Sequence, residues 1–207
     1  MNLKNQIKII FFAGGLTTFL AGGISSVYAA ACASNSSPGS ASCSALLINS
    51  TTTNIDISGT VSSLPSPSTV SAVEVTSAGS VPSLSIASSG VVSSNSADAI
   101  FNYGGVITSL TNNRNISSTS VGGSGIYNAS GGTISSLTNT GVISGTSRGI
   151  TNAGTGSTIG TIINTGSITG FYGIVNQGGT INNISNAAPL PQTALVIVMP
   201  SITSAEP

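Results

Sequence analysis

The feature that most constrains this chain is a four-residue phrase that returns at one fixed interval. Gly125-Ile126-Tyr127-Asn128, Gly149-Ile150-Thr151-Asn152 and Gly173-Ile174-Val175-Asn176 are evenly spaced, and a degenerate copy, Ala99-Ile100-Phe101-Asn102, lies slightly more than one interval before the first. A period in this range marks a solenoid, in which one short unit stacks on the next. Other positions keep the interval. Ile107, Ile134, Ile159 and Ile181 form a second apolar column, and Leu110, Leu137, Ile162 and Ile184 a third. Ile143 and Ile168 make a fourth, with Ile116 as a shifted member.

Between these columns the chain is punctuated by Gly and Asn, so each unit offers three or four short strands and no room for long hairpins. Such strands wind into a coil and pair with those above and below. The expected fold is all-β, a right-handed parallel β-helix of about four regular coils over 99–186, about 20 Å long at the β-strand spacing, with irregular N-terminal coils before it. Isoleucine suits the interior columns because its branched side chain stacks on a pleated surface. Glycine is expected to supply positive φ at the corners. No stretch outside the N-terminus shows apolar residues at helical spacing with caps.

Two rows of asparagine keep the period as well: Asn102, Asn128, Asn152 and Asn176, then Asn112, Asn139, Asn164 and Asn186. They read as structural ladders, each amide bonding the next and relieving corner backbone groups. Ligand binding by these rows is the alternative.

The segment from Met1 to Ala29 reads as a secretory signal peptide. Lys4 and Lys8 precede an apolar stretch from Ile9 to Leu20, and small residues end at Val27-Tyr28-Ala29-Ala30-Ala31, with cleavage expected after Ala29 or Ala31. An uncleaved anchor is the alternative, weakened by Gly14, Gly15, Gly22 and Gly23. The mature chain has no second stretch long enough to span a bilayer as a helix. Ala194 to Met199 is far too short.

Export governs the two cysteines. Cys32 and Cys43 follow the cleavage site and are expected to form one local disulfide in an oxidising compartment. Acylation of Cys32 as a lipoprotein is the rival, lacking the usual leucine three residues earlier. Metal binding is disfavoured more strongly still, because two cysteines without histidine cannot fill a tetrahedral site. The lead-in segment 30–54 is rich in Ser, Ala and Thr, and 55–98 carries irregular strand candidates such as Ile55 to Val61 and Ala72 to Thr76, broken at Leu64-Pro65-Ser66-Pro67.

Charge argues against most chemistry. Only 4% of residues are charged and histidine is absent. Past the N-terminus the cations are Arg114 and Arg148, so no basic face exists to neutralise nucleic acid. Between Gly104 and Asn186 there is no Asp, Glu, His, Lys or Cys. General acid–base catalysis needs a titratable group, and glycosidic cleavage a carboxylate pair, so an enzyme acting on polysaccharides is the disfavoured reading. Asp56, Glu74, Asp98 and both arginines are expected on the solvated surface. No cofactor or metal is expected: Gly122-Gly123-Ser124-Gly125 lacks the calcium-repeat Asp, and Gly154-Thr155-Gly156 lacks the third dinucleotide glycine. Thr133, Thr158 and Thr180 align as an ice-binding row would, but their partners are Ser135, Gly160 and Asn182. Asn-x-Ser/Thr sequons at Asn35, Asn49, Asn115, Asn128 and Asn183 are what so Asn- and Ser-rich a chain makes by chance.

Ala97-Asp98-Ala99-Ile100-Phe101-Asn102 and Gly149-Ile150-Thr151-Asn152, with the phrases Asn139-Thr140-Gly141-Val142-Ile143-Ser144-Gly145 and Asn164-Thr165-Gly166-Ser167-Ile168-Thr169-Gly170, resemble the passenger repeats of bacterial autotransporters, the type V secreted proteins of Gram-negative outer membranes. The likeness covers the signal peptide and about 97–186. It implies a β-helical stalk, exported across the inner membrane and displayed at the cell surface or outer membrane, which serves adhesion to cell-surface or carbohydrate ligands, aggregation or surface coating. Such proteins carry a C-terminal translocator barrel. Here the repeat gives way to a proline-bearing tail over 187–207, which is expected to be a truncated product or, alternatively, a strand from Thr193 to Met199 capping the last coil. A truncated product would stay periplasmic or be secreted, or have no function of its own.

Overall fold

The computed structural model describes residues 9–12, 15–18, 31–64, 69–187 and 196–199, with backbone alone for 9–12, 15–18 and 196–199. In the coils, short strands set apolar residues inward at every second position, and successive strands fall in different sheets. They pair instead with their counterparts one coil away. Three parallel sheets result. The first holds Leu46–Ile48, Val73–Val75, Ile100–Tyr103, Ser124–Ala129, Arg148–Ala153, Tyr172–Gln177 and Val196–Met199. The second holds Ile55–Ile57, Ser80–Ile86, Val106–Asn112, Thr133–Asn139, Thr158–Asn164 and Thr180–Asn186. The third holds Cys43–Ser44, Thr60–Ser62, Val91–Ser94, Asn115–Ser118, Val142–Ser144 and Ser167–Thr169. The chain visits them in rotation, which makes a parallel β-helix of about five turns, with the right-handed sense of parallel crossovers.

The expected columns meet in register. Ile100, Ile126, Ile150 and Ile174 are mutual partners along the first sheet, and Ile107, Ile134, Ile159 and Ile181 along the second. Ile116 proves to be an in-register member of its column rather than a shifted one, paired with Ile143 above and Val92 below. Most of these side chains are wholly buried in one continuous core. Each such isoleucine contributes roughly 1.5–3 kcal/mol.

The solenoid also extends further back than the repeat suggests. Val73 to Val75 pair with Ile100 to Asn102, and Ser80 to Ile86 follow the register of Val106 to Asn112, so the coil there is regular. Leu46–Ile48 and Cys43–Ser44, inside the expected lead-in segment, carry strands of the same sheets. The break at Pro65 and Pro67 lies outside the described residues.

The residues before Cys43 form a cap. Ala31 bridges Ser44 on the third sheet, the Asn35 N–H donates to the Leu47 carbonyl on the first, and Gly39 bridges Ile57 on the second. One turn thus satisfies the lowest rung of all three sheets. The Cys32–Cys43 disulfide closes it, with Cα atoms 5.0 Å apart. Asn35, at φ 56°, holds the bend by accepting from the N–H groups of Asn49 and Ser50.

At the other end Val196–Met199 adds a parallel strand beyond Tyr172–Gln177, in the region where a capping strand was the alternative to a truncated tail. Near the N-terminus Ile9–Phe12 pairs antiparallel with Gly15–Thr18. The rest of the expected signal peptide, with cleavage at Ala29, and most of the tail lie outside the described residues.

Glycine serves two ends. Gly131 and Gly154 take φ near +82°, as expected of corners. The glycine of the repeated phrase does something else. A Cβ on Gly149 would collide with the Gly173 carbonyl and the Ile168 side chain, so successive coils approach too closely there for any other residue.

Candidate functional site

The asparagines form two buried ladders. Asn102 donates from Nδ2 to Asn128 Oδ1 at 2.7 Å, Asn128 to Asn152 at 2.8 Å, and Asn152 to Asn176 at 2.8 Å. Asn112, Asn139, Asn164 and Asn186 are linked likewise at 2.6–2.7 Å. Most of these amides also reach a turn carbonyl, such as Gly105 from Asn102, Gly132 from Asn128 and Gly141 from Asn139. From Asn102 to Asn176 and from Asn112 to Asn164 the rows are buried, so both ladders face the interior and offer almost nothing to a ligand.

The first ladder begins with a defect. Asn102 Oδ1 is buried with no hydrogen-bond partner. Below it in register stands Val75, which has nothing to donate.

The charged groups are dispersed over separate elements. Asp56 is exposed on the second sheet, and Glu74 faces outward on the first. Arg114 donates from Nη1 to the Ser88 carbonyl at 3.2 Å. Two groups depart from the expected solvated surface. Asp98 is half-buried and accepts from the Ser124 N–H at 2.7 Å. Burial pushes its carboxyl above the usual range, opposed by the Ser124 bonds and by the charge of Arg148. Arg148, in register with Ser124 and Tyr172, has a buried Nε without a partner. Among the described residues no three His, Cys, Asp or Glu groups gather as metal ligands would.

The outer faces of the three sheets differ in kind. The third bears a hydroxyl row, Ser62, Ser93, Ser117, Ser144 and Thr169, with a shallow cavity of about 270 Å³ beside its lower rungs. On the second sheet Thr133, Thr158 and Thr180 stand in register. A fuller double row lies a few residues on and escapes a search for threonine pairs: Ser83 and Ser85, Ser109 and Thr111, Ser136 and Thr138. It ends at Ile163, 43% exposed.

The first sheet is different. Its outward row runs Leu47, Glu74, Phe101, Tyr127, Thr151, Val175. Phe101 and Tyr127 stack with centroids 5.4 Å apart, and Tyr103 tilts against Phe101 at 5.5 Å. Tyr103 is half exposed, whereas Thr151 and Val175 are closed to solvent. The aromatic ridge therefore occupies the lower part of the row. Reading the sequence for titratable groups passes over it, although Phe101, Tyr103 and Tyr127 stand beside the asparagine column. No protein-family model matches this chain, and neither does any curated protein or solved structure.

Proposed function

We propose that this protein is an exported, non-enzymatic β-helical stalk of autotransporter-passenger type, whose work is to present an outer surface for adhesion rather than to turn over a substrate. The observation that carries the reading is the stack of about five turns, tied along its axis in the upper coils by two buried asparagine ladders. Such a stack holds surface rows at a constant spacing, which suits repeated weak contacts with a cell surface or a polymer. The Cys32–Cys43 disulfide supports an oxidising destination. The dispersed carboxylates support a binding role, since hydrolysis of a glycosidic bond uses two in one site.

Expression of the whole chain in a Gram-negative host tests this. The expected product begins at Ala30 or Cys32, carries no free thiol, and makes particles coated with it adhere to bacterial or host cells. A product that still begins at Met1 and has two alkylatable cysteines would overturn export. Release of reducing ends from a polysaccharide panel would overturn the non-enzymatic reading.

A further inference from the structure

We propose that the ridge of Phe101, Tyr103 and Tyr127, with Glu74 at its foot, binds a neutral glycan. The inference rests on the adhesive reading and locates it. Its first ground is placement. The aromatic residues of the described coils are Phe101, Tyr103, Tyr127, Phe171 and Tyr172, and all lie on the first sheet or at the corner leading into it. None enters the core, which is built chiefly from Ile, Leu and Val, with Cys43, Ala72 and Ala99. Large rings kept outside on a surface of hydroxyls and amides indicate a surface that is covered in use.

The second ground is geometry. Phe101 and Tyr127 lie nearly parallel, 23° apart, on successive rungs. Tyr103 is inclined 55° to Phe101, and its in-register neighbour above is only an alanine, Ala129. A bulky residue there would cover its ring. Rungs repeat at about 4.8 Å, close to the length of one sugar ring, so the ridge suits a short run of a linear chain.

The third ground is chemical complement. A pyranose ring has an apolar C–H face, which the tilted, half-exposed Tyr103 can meet beside the mutually stacked Phe101 and Tyr127, and a rim of hydroxyls. The Tyr103 and Tyr127 phenols carry no hydrogen bond to the described residues, and a phenol can both donate to and accept from such a rim. Glu74 stands one rung below Phe101 and can accept from two hydroxyls. Its charge disfavours an acidic sugar or a phosphate. A lipid surface would need a broad apolar face, whereas the neighbouring sheets are lined with Ser and Thr.

Native gel electrophoresis of the mature protein tests the site, with a soluble linear neutral β-glucan, a neutral α-glucan or polygalacturonate cast in the gel, and a parallel float with anionic lipid vesicles. The expected result is retardation by at least one neutral glucan. Tyr103→Ala should weaken it about tenfold and leave the unfolding temperature unchanged. Glu74→Gln should weaken it less, and Phe171→Ala, 71% exposed at a corner away from the ridge, should leave it intact. No retardation by any neutral glucan, equal retardation of Tyr103→Ala, or binding to polygalacturonate or vesicles alone would each overturn the site. Adhesion of coated particles separates the two claims: adhesion that survives Tyr103→Ala sinks this site and leaves the stalk reading standing.

Discussion

Two regions of one solenoid turn the same corners with different chemistry. In the lower coils the corner after the first sheet is filled by Ile48 and Val75, and from the third coil upward the same column is Asn102, Asn128, Asn152 and Asn176. The corner after the second sheet switches at the same level, from Ile57 and Ile86 to Asn112, Asn139, Asn164 and Asn186. An aliphatic corner contributes only buried area. An asparagine corner ties a turn carbonyl and the next rung together, so a slip of register would break several directional bonds at once. The gain has a boundary cost, visible in the unpartnered Oδ1 of Asn102 above Val75.

The asparagines do not set the length of the coil, however. The step between in-register partners is the same from Leu46 to Val73 as from Val73 to Ile100, and it is longer than the step from Ile126 to Ile150 or from Ile150 to Ile174. Between in-register positions, the corner after the third sheet shortens from Ile116–Ile126 in the third coil to Ile143–Ile150 and Ile168–Ile174 in the next two.

The sharpest way to break the contrast is inside the ladder. Asn128→Val puts the lower coils' residue into the upper coils. It removes donors to Asn152 Oδ1, to the Gly132 carbonyl and to the Thr158 carbonyl, and it deprives Asn102 Nδ2 of an acceptor. Leaving several buried polar atoms unpaired is expected to cost about 3–5 kcal/mol, read as a lower midpoint in urea unfolding. A loss below about 1 kcal/mol, the net worth of a single ordinary hydrogen bond, would mean that the two corner chemistries are interchangeable.

The cap comes next in size, because it protects the region without ladders. Removing the disulfide as Cys32→Ala with Cys43→Ala is expected to cost about 2–3 kcal/mol. Hydrogen exchange should locate that loss. The amides of Asn35 and Gly39, bonded to the Leu47 and Asp56 carbonyls, should lose protection first, while those of Asn139 to Asn164 hold. Uniform loss along the stack would show that the coils unfold as one unit.

Val75→Asn moves the boundary down by one rung and sharpens the comparison. The new amide can supply Asn102 Oδ1 with its missing donor, but its own Oδ1 then faces Ile48. Transfer of the defect, with the loss of a buried valine, predicts a net cost of about 1–2 kcal/mol, smaller than that of Asn128→Val. A cost equal to or above that of Asn128→Val would show that the partnerless oxygen is not what limits the ladder.

How far the fold could be read from the chain follows the same division. The upper coils announce themselves because Asn and Gly are demanded at fixed points by hydrogen bonding and close approach, and such demands leave a literal phrase. The lower coils need only apolar residues of suitable size, so Val73, Val75, Val81 and Leu84 carry the register without repeating any word. Their spacing to Ile100, Asn102, Ile107 and Leu110 was the available signal. The cap left almost none, since single bridges at Ala31 and Gly39 ask for no side-chain pattern. The aromatic ridge was present in the sequence but unreadable as a ridge until the register placed Phe101 beside Tyr127 and Glu74.

The smallest expected effect concerns the carboxyl of Asp98. Asp98 lies at the third-sheet corner just below the first ladder rung, and burial raises its pKa, with Arg148 as the opposing charge. A carboxyl raised in the folded state favours folding when protonated. Its contribution is complete below about pH 3.9, the ordinary value, and fades as pH rises through the elevated folded value. Asp98→Asn keeps an acceptor for the Ser124 N–H while removing the buried charge. The variant should therefore unfold a few degrees higher than the parent at pH 7, with the gap closing as pH falls toward 4. A variant less stable at pH 7 would mean that attraction to Arg148 outweighs the cost of burying the charge, and that this corner is held by an ion pair after all.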